Sequence, residues 1–125
     1  MALLLDLARK VSPAVGIPSE VEALVELAET AIRDGICLVG DFACAAGVVK
    51  PYITNKSVMV GHIVFWNFTR PSGVGILTAI AEEFRQRGAS HITASSHHPK
   101  HAAGGLYRRL LGARPAEMDW IAPLK

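Results

Sequence analysis

No apolar run in these 125 residues reaches the ~18 to 20 that a membrane span requires, although half of the residues are hydrophobic. Net charge is scarce too. Thirteen basic residues against 11 acidic leave +2, too little to hold a polyanion, so nucleic acid is not an expected partner. There are only two cysteines, Cys37 and Cys44, without the C-x-x-C spacing of a redox or zinc site; we read them as reduced core thiols within one predicted strand and turn. Repeats and linkers are missing, which leaves one domain over residues 1–125. The opening MALLL lacks the rest of a secretory signal: Asp6 interrupts it, no basic segment precedes it and no small-residue cleavage site closes it. We therefore expect a soluble, cytoplasmic protein with no membrane partner.

What is present is unevenly placed. Residues 1–34 carry three basic side chains against six acidic, whereas residues 70–114 carry seven basic against two acidic. Solvated helix faces account for much of that contrast, and a phosphate-bearing ligand for the C-terminal half is the sharper reading. Ser19-Glu20-Val21-Glu22 has the form of a capping box. Val21, Leu24, Val25, Ala28, Ala31 and Ile32 then recur at helical spacing until Gly35, which predicts a helix over about 20–34. A shorter helix near 2–11 is broken by the turn SPAVGIP. Three β-branched and apolar runs follow, ICLVGDFA, GVVKPYI and SVMVGHIVFWNF, and read as an antiparallel strand series. Gly75–Arg87 is helical with Gly88 just past its end, SHITAS is a short strand, Pro99–Leu111 a further helix and AEMDWIAPL a closing strand. The sum is an α/β (α+β) domain whose mixed, mostly antiparallel sheet precedes a strand, helix, strand crossover.

The strand VGHIVFWNF passes through Arg70-Pro71-Ser72-Gly73-Val74-Gly75 directly into a helix. Amides at such a start sit at the positive end of the helix dipole, and glycine lets a ligand approach the main chain, so the loop suits an anion such as a pyrophosphate. A glycine turn with no ligand is the bland alternative. The nucleoside-triphosphate loop needs a Gly-Lys-Ser/Thr ending, which is absent, and the dinucleotide fingerprint needs a third glycine where Thr78 stands. What remains is R-x-x-G-x-G, followed in order by ILTAIAEEFRQRG, SHITASS and AAGGLYRRLLGARP, and over 36–125 the sequence resembles the GNAT superfamily of acetyl-coenzyme A dependent N-acetyltransferases. The resemblance implies a GNAT-like sheet flanked by helices, with N-terminal helices (2–34) shorter than usual. It implies coenzyme contacts from Phe65, Trp66, Asn67, Arg70, Pro71, Ser72, Gly73, Val74 and Gly75: the loop holds the pyrophosphate, and strand amides hold the pantetheine arm and polarise the thioester.

Acetyl transfer needs a base for the attacking amine and an acid for the departing thiolate. By its place in the family pattern Tyr107 is the acid, although it also sits on the apolar stripe Ala103, Leu106, Tyr107, Leu110 of an ordinary core helix. Gly112 comes five residues after Tyr107 where the family has four, which leaves the register of the tyrosine open. His62, in GHIVFW, stands where the histone-acetylating branch carries its glutamate base; imidazole titrates near neutrality, and a structural histidine is the alternative. His97 and His98, with His101, follow the fifth strand of the pattern and are candidate substrate contacts. His97 and His101 could share a helix face, but no cysteine or acidic residue stands close enough to complete a zinc site, so no metal is expected, and Ser96 or His98 can cap the helix. The implied function is transfer of an acetyl group from acetyl-coenzyme A to a primary amine, on a small molecule or on a protein lysine or N-terminus, by direct attack. The alternative is a catalytically impaired module of the same fold that binds the coenzyme or a protein. A homodimer is compatible with either.

Overall fold

The computed structural model describes residues 2–15, 17–94, 102–114 and 123. Helices α1 (Ala2–Val15) and α2 (Val21–Asp34) lead into strands β1 (Ile36–Val39), β2 (Ala43–Tyr52) and β3 (Asn55–Phe68). A 3-10 turn over Pro71–Gly75 then opens α3 (Ile76–Gln86), which is followed by β4 (His91–Thr93) and α4 (Ala102–Leu111). The four strands form one sheet in the order β1-β2-β3-β4, antiparallel except for the β3–β4 pair that α3 connects. This is the mixed, mostly antiparallel sheet flanked by helices that the sequence predicts. Among the described residues no helix is long and apolar enough to cross a membrane. The closing strand expected from AEMDWIAPL lies outside the described residues.

Three local expectations are corrected. Helix α1 runs on to Val15, through Pro13, where a break was expected after residue 11. Proline's φ is already helical, and in a last turn it removes only the single bond its N–H would have made. At the start of α2 the N-cap is Glu20 rather than Ser19, with extended dihedrals and no side-chain capping bond, while Gly35 ends the helix by donating its N–H to the Ala31 carbonyl. Finally, ICLVGDFA is not one strand: the chain turns at 40–42, where Gly40 N–H bonds the Ala43 carbonyl at 2.8 Å. Cys37 and Cys44 therefore lie on neighbouring strands, both as free thiols whose ionisation burial pushes up.

The two faces of the sheet carry separate cores. Leu4 of α1 packs with Cys44, Ala46 and Phe65 on one face, joined by Leu27, Ala28 and Ala31 of α2. On the other, Leu77, Ile80 and Phe84 of α3 and Leu106 and Tyr107 of α4 close on Ile36, Ala45 and Ile63. Helix α3 comes this close because the sheet offers it glycine. A Cβ at Gly47 or Gly61 would fall inside the Phe84 ring, whose side chain is 1% exposed. Past the helix, Gly88 adopts φ 93°, so the chain can reverse into β4.

Adding a methyl at Gly61 should therefore overpack this contact. Gly61→Ala is expected to lower stability by about 1–3 kcal/mol in urea unfolding, and pairing it with Phe84→Leu should recover part of the loss. Full additivity of the two changes would contradict the contact.

Candidate functional site

Strand β3 is unusually long and changes character midway. Ala46 pairs with Phe65 but the next β2 residue, Gly47, pairs with Ile63, so Val64 is an extra residue, a β-bulge, and it is 46% exposed. On the other side, β3 pairs with β4 only through Val60, Gly61 and His62, against His91, Ile92 and Thr93. Among the described residues nothing pairs with that edge beyond His62, so among them the edge of β3 is open from the bulge onward.

The hydrogen-bond pattern tells which backbone groups line the open edge. Thr69 N–H bonds the Phe42 carbonyl at 2.8 Å, so residue 69 faces β2. Ladder alternation then turns Asn67 and Phe65 toward β2, and Phe68 and Trp66 away from it. Ser90 N–H bonds the Met59 carbonyl at 3.0 Å, which puts 59, 61 and 63 on the β4 side. The bulge shifts that parity by one residue, so the open edge continues through the backbone of Trp66 and Phe68.

Side chains behind this edge form a stacked aromatic group. The Trp66 indole N–H donates to the Tyr107 phenol oxygen at 2.7 Å, the two rings lie 5.8 Å apart, and Trp66 stacks on Phe68 at 5.6 Å. Tyr107 is 7% exposed; burial pushes its phenol above the ordinary value, partly offset by the Trp66 bond, so it holds its proton at neutral pH. The residue expected from the sequence to be an acid and the strand expected to hold the pantetheine are thus in direct contact, across 41 positions of chain.

His62 sits where the strands part, its Nδ1 2.8 Å from Thr93 Oγ1. Its side chain leaves the sheet on the face opposite Gly61 and Ile63, away from Tyr107. Trp66 is four residues further on, about 13 Å along β3. The structure thus does not bring His62 and Tyr107 into contact. His97, His98 and His101 lie outside the described residues.

In the glycine loop, Pro71, Ser72 and Val74 form the 3-10 turn with the two glycines, and Gly73 N–H bonds the Arg70 carbonyl at 2.8 Å. The glycines do different jobs. A Cβ at Gly73 would lie 2.8 Å from the Phe42 carbonyl oxygen and 3.0 Å from the Cβ atoms of Ala43 and Phe68, so this glycine lets the turn sit against the sheet. A Cβ at Gly75 would meet nothing within 4 Å, so Gly75 is the one that borders open space. Arg70 points its guanidinium at the Phe42 ring, 4.1 Å from the centroid.

Asn67, expected to serve the coenzyme, directs its side chain to α1. Its Nδ2 donates to the Leu3 carbonyl at 2.9 Å and to Asp6 Oδ2 at 2.8 Å, and its Oδ1 accepts from Lys10 Nζ at 2.8 Å. The Asn67 bond and the Lys10 ammonium, 3.0 Å away, hold the Asp6 carboxyl below its ordinary value. Sequence reasoning missed Lys10 at this place. The only signal was its i,i+4 spacing from Asp6, which reports a helix-surface pair and nothing about a strand 57 residues later.

No protein-family model matches the chain, and no curated protein sequence matches it. Solved structures do. An acetyltransferase of Trypanosoma brucei superposes with a TM-score of 0.60 at 20% identity, covering 98% of this chain and 94% of its own. A probable acetyltransferase gives 0.68 at 14% identity over 99% and 91% of the two chains. A predicted acetyltransferase of Clostridium acetobutylicum, solved with acetyl-CoA, gives 0.51 at 19% identity over 98% and 88%. The chain has the fold of these acetyltransferases.

The division of labour between the glycines predicts opposite responses. Gly73→Val should lower the melting temperature, with a loss of about 1–3 kcal/mol from overpacking against β2 and β3. Gly75→Ala, at a residue with helical φ and ψ of −59° and −14°, should melt at the parental temperature or above it. Equal destabilisation by both would refute the assignment.

Proposed function

We propose that the protein is an N-acetyltransferase that moves an acetyl group from acetyl-CoA to a primary amine by direct attack, with no covalent enzyme intermediate. The observation that carries this reading is the edge of β3 beyond His62, where the backbone of Trp66 and Phe68 has no strand partner among the described residues and the Tyr107 phenol stands behind it. Acetyltransferase folds solved elsewhere, one with acetyl-CoA, support the same reading.

The coenzyme's diphosphate is placed at the turn 70–75, where Gly75 borders open space. Its pantetheine arm then runs along the edge from Phe68 toward the bulge, about 13 Å of strand, and exchanges amide hydrogen bonds with the Trp66 and Phe68 backbone. This brings the thioester to the bulge, where a backbone N–H polarises its carbonyl as the amine adds. Tyr107, protonated and anchored by Trp66, gives its proton to the departing thiolate. His62, at the fork and on the opposite face, takes the amine's proton directly or through water; Thr93 Oγ1 fixes the orientation of its ring. His97 and His98 remain proposed substrate contacts. The acidic residues of α2, Glu22, Glu26 and Glu29, are exposed and favour a cationic acceptor. The second reading, a coenzyme- or protein-binding module without turnover, is favoured by the separation of His62 from Tyr107.

Thiol release from acetyl-CoA, measured with a panel of amines, separates the two. Tyr107→Phe should cut turnover roughly 10²-fold while the coenzyme dissociation constant holds, and should lose about 1 kcal/mol of stability because the Trp66 N–H loses its acceptor. His62→Ala should remove the acidic limb of the rate profile. Turnover left intact in Tyr107→Phe would remove the phenol from the mechanism, and coenzyme binding without thiol release with any amine would favour the module.

A further inference from the structure

Lys10 belongs to α1, yet its ammonium ends on the open edge of β3. Its Nζ donates to Asn67 Oδ1 at 2.8 Å and to the Phe68 carbonyl at 3.3 Å, and it lies 5.8 Å from the Phe68 ring centroid. Phe68 is one of the two residues whose backbone alternation directs away from β2, so the side chain has come around from the α1 face to the edge itself. The glycine turn begins three residues later, at Pro71. Lys10 is tethered as well as near. Asn67, 4% exposed, grips it from below, and Asp6 pairs with it at 3.0 Å. Its side chain nevertheless remains 45% exposed, so the charge faces solvent at the mouth of the edge.

Arg70, the cation that the loop motif supplies, is placed differently. Its guanidinium lies over Phe42, in the turn between β1 and β2. Of these two cations it is the lysine of α1 whose side chain reaches the edge.

We propose that Lys10 is a coenzyme-binding residue, contacting the diphosphate of the coenzyme and, when the coenzyme is absent, resting on the Phe68 carbonyl that the pantetheine arm would otherwise approach. The inference rests on the coenzyme site proposed above. On binding, the ammonium exchanges a neutral carbonyl acceptor for a phosphate oxygen, the stronger charge-assisted bond, and releases the edge carbonyl to the ligand. Asp6 restrains that exchange, because it neutralises part of the lysine's charge in the unliganded protein.

Calorimetry on the full chain tests this with three ligands, coenzyme A, dephospho-coenzyme A and pantetheine, at two salt concentrations. Lys10→Gln is expected to weaken both diphosphate ligands about threefold to tenfold, to flatten the salt dependence of their affinity, and to leave pantetheine unchanged. Lys10→Arg should retain most of the affinity. Asp6→Asn should tighten coenzyme A, an outcome that a purely structural clamp between α1 and β3 would not produce. Parental affinity and salt dependence in Lys10→Gln would overturn the proposal, as would an equal loss for all three ligands, which marks a structural role, or a loss confined to coenzyme A, which places Lys10 on the ribose phosphate. If Lys10→Gln does not fold, the salt dependence and Asp6→Asn decide. No binding of coenzyme A by the parent protein would instead overturn the coenzyme site itself.

Discussion

One extra residue in a strand, Val64, sets the terms for everything near the site. A β-strand offers its backbone to its two neighbours alternately, and a bulge moves that alternation by one. With Val64 inserted, Trp66 and Phe68 turn their peptide groups away from β2, to the side where β3 pairs with β4 only through Val60, Gly61 and His62 among the described residues, while their rings stack on the face where Tyr107 is buried. Asn67, between them, faces the opposite way and is gripped by α1. A single backbone irregularity thus separates the peptide groups turned away from β2 from the side chain that fastens the strand.

The strand can be held open because both of its faces are fixed. On one side Asn67, Asp6 and Lys10 make a polar tie between α1 and β3, in which every partner of Asn67 is a charged side chain or a backbone carbonyl. On the other, Phe84 sits against Gly47 and Gly61, which sets the distance of α3 from the sheet and hence where the turn 71–75 emerges. The same close approach recurs at Gly73, whose missing side chain lets the turn rest on Phe42, Ala43 and Phe68. The geometry of the candidate site is thus fixed by glycine contacts within the protein.

Much of this was legible in the sequence. Helix α2, the crossover β3-α3-β4 and the stop at Gly88 followed from periodicity and glycine placement, since these are local signals. The bond between Trp66 and Tyr107 could not be read at all, because a contact across 41 positions leaves no local trace. The bulge was invisible: SVMVGHIVFWNF reads as one continuous strand, and nothing in it marks Val64 as extra. The roles of the two glycines could not be separated either, as only the packing of the turn on β2 shows which one borders open space. That the side chains of Asn67 and Arg70 engage α1 and Phe42 was not legible either. Residue type and motif spacing gave no warning, because each partner comes from a distant part of the chain.

The central claim is that the parity of β3 beyond Val64 presents Trp66 and Phe68, and not Phe65 and Asn67, to the coenzyme. Backbone amide resonances followed during titration with coenzyme A test it residue by residue. The account predicts large shifts and slowed hydrogen exchange at Trp66 and Phe68, together with shifts in the turn 71–75, while the amides of Phe65 and Asn67, already committed to β2, move little. Shifts concentrated at Phe65 and Asn67, or none along β3 at saturating coenzyme, would contradict it.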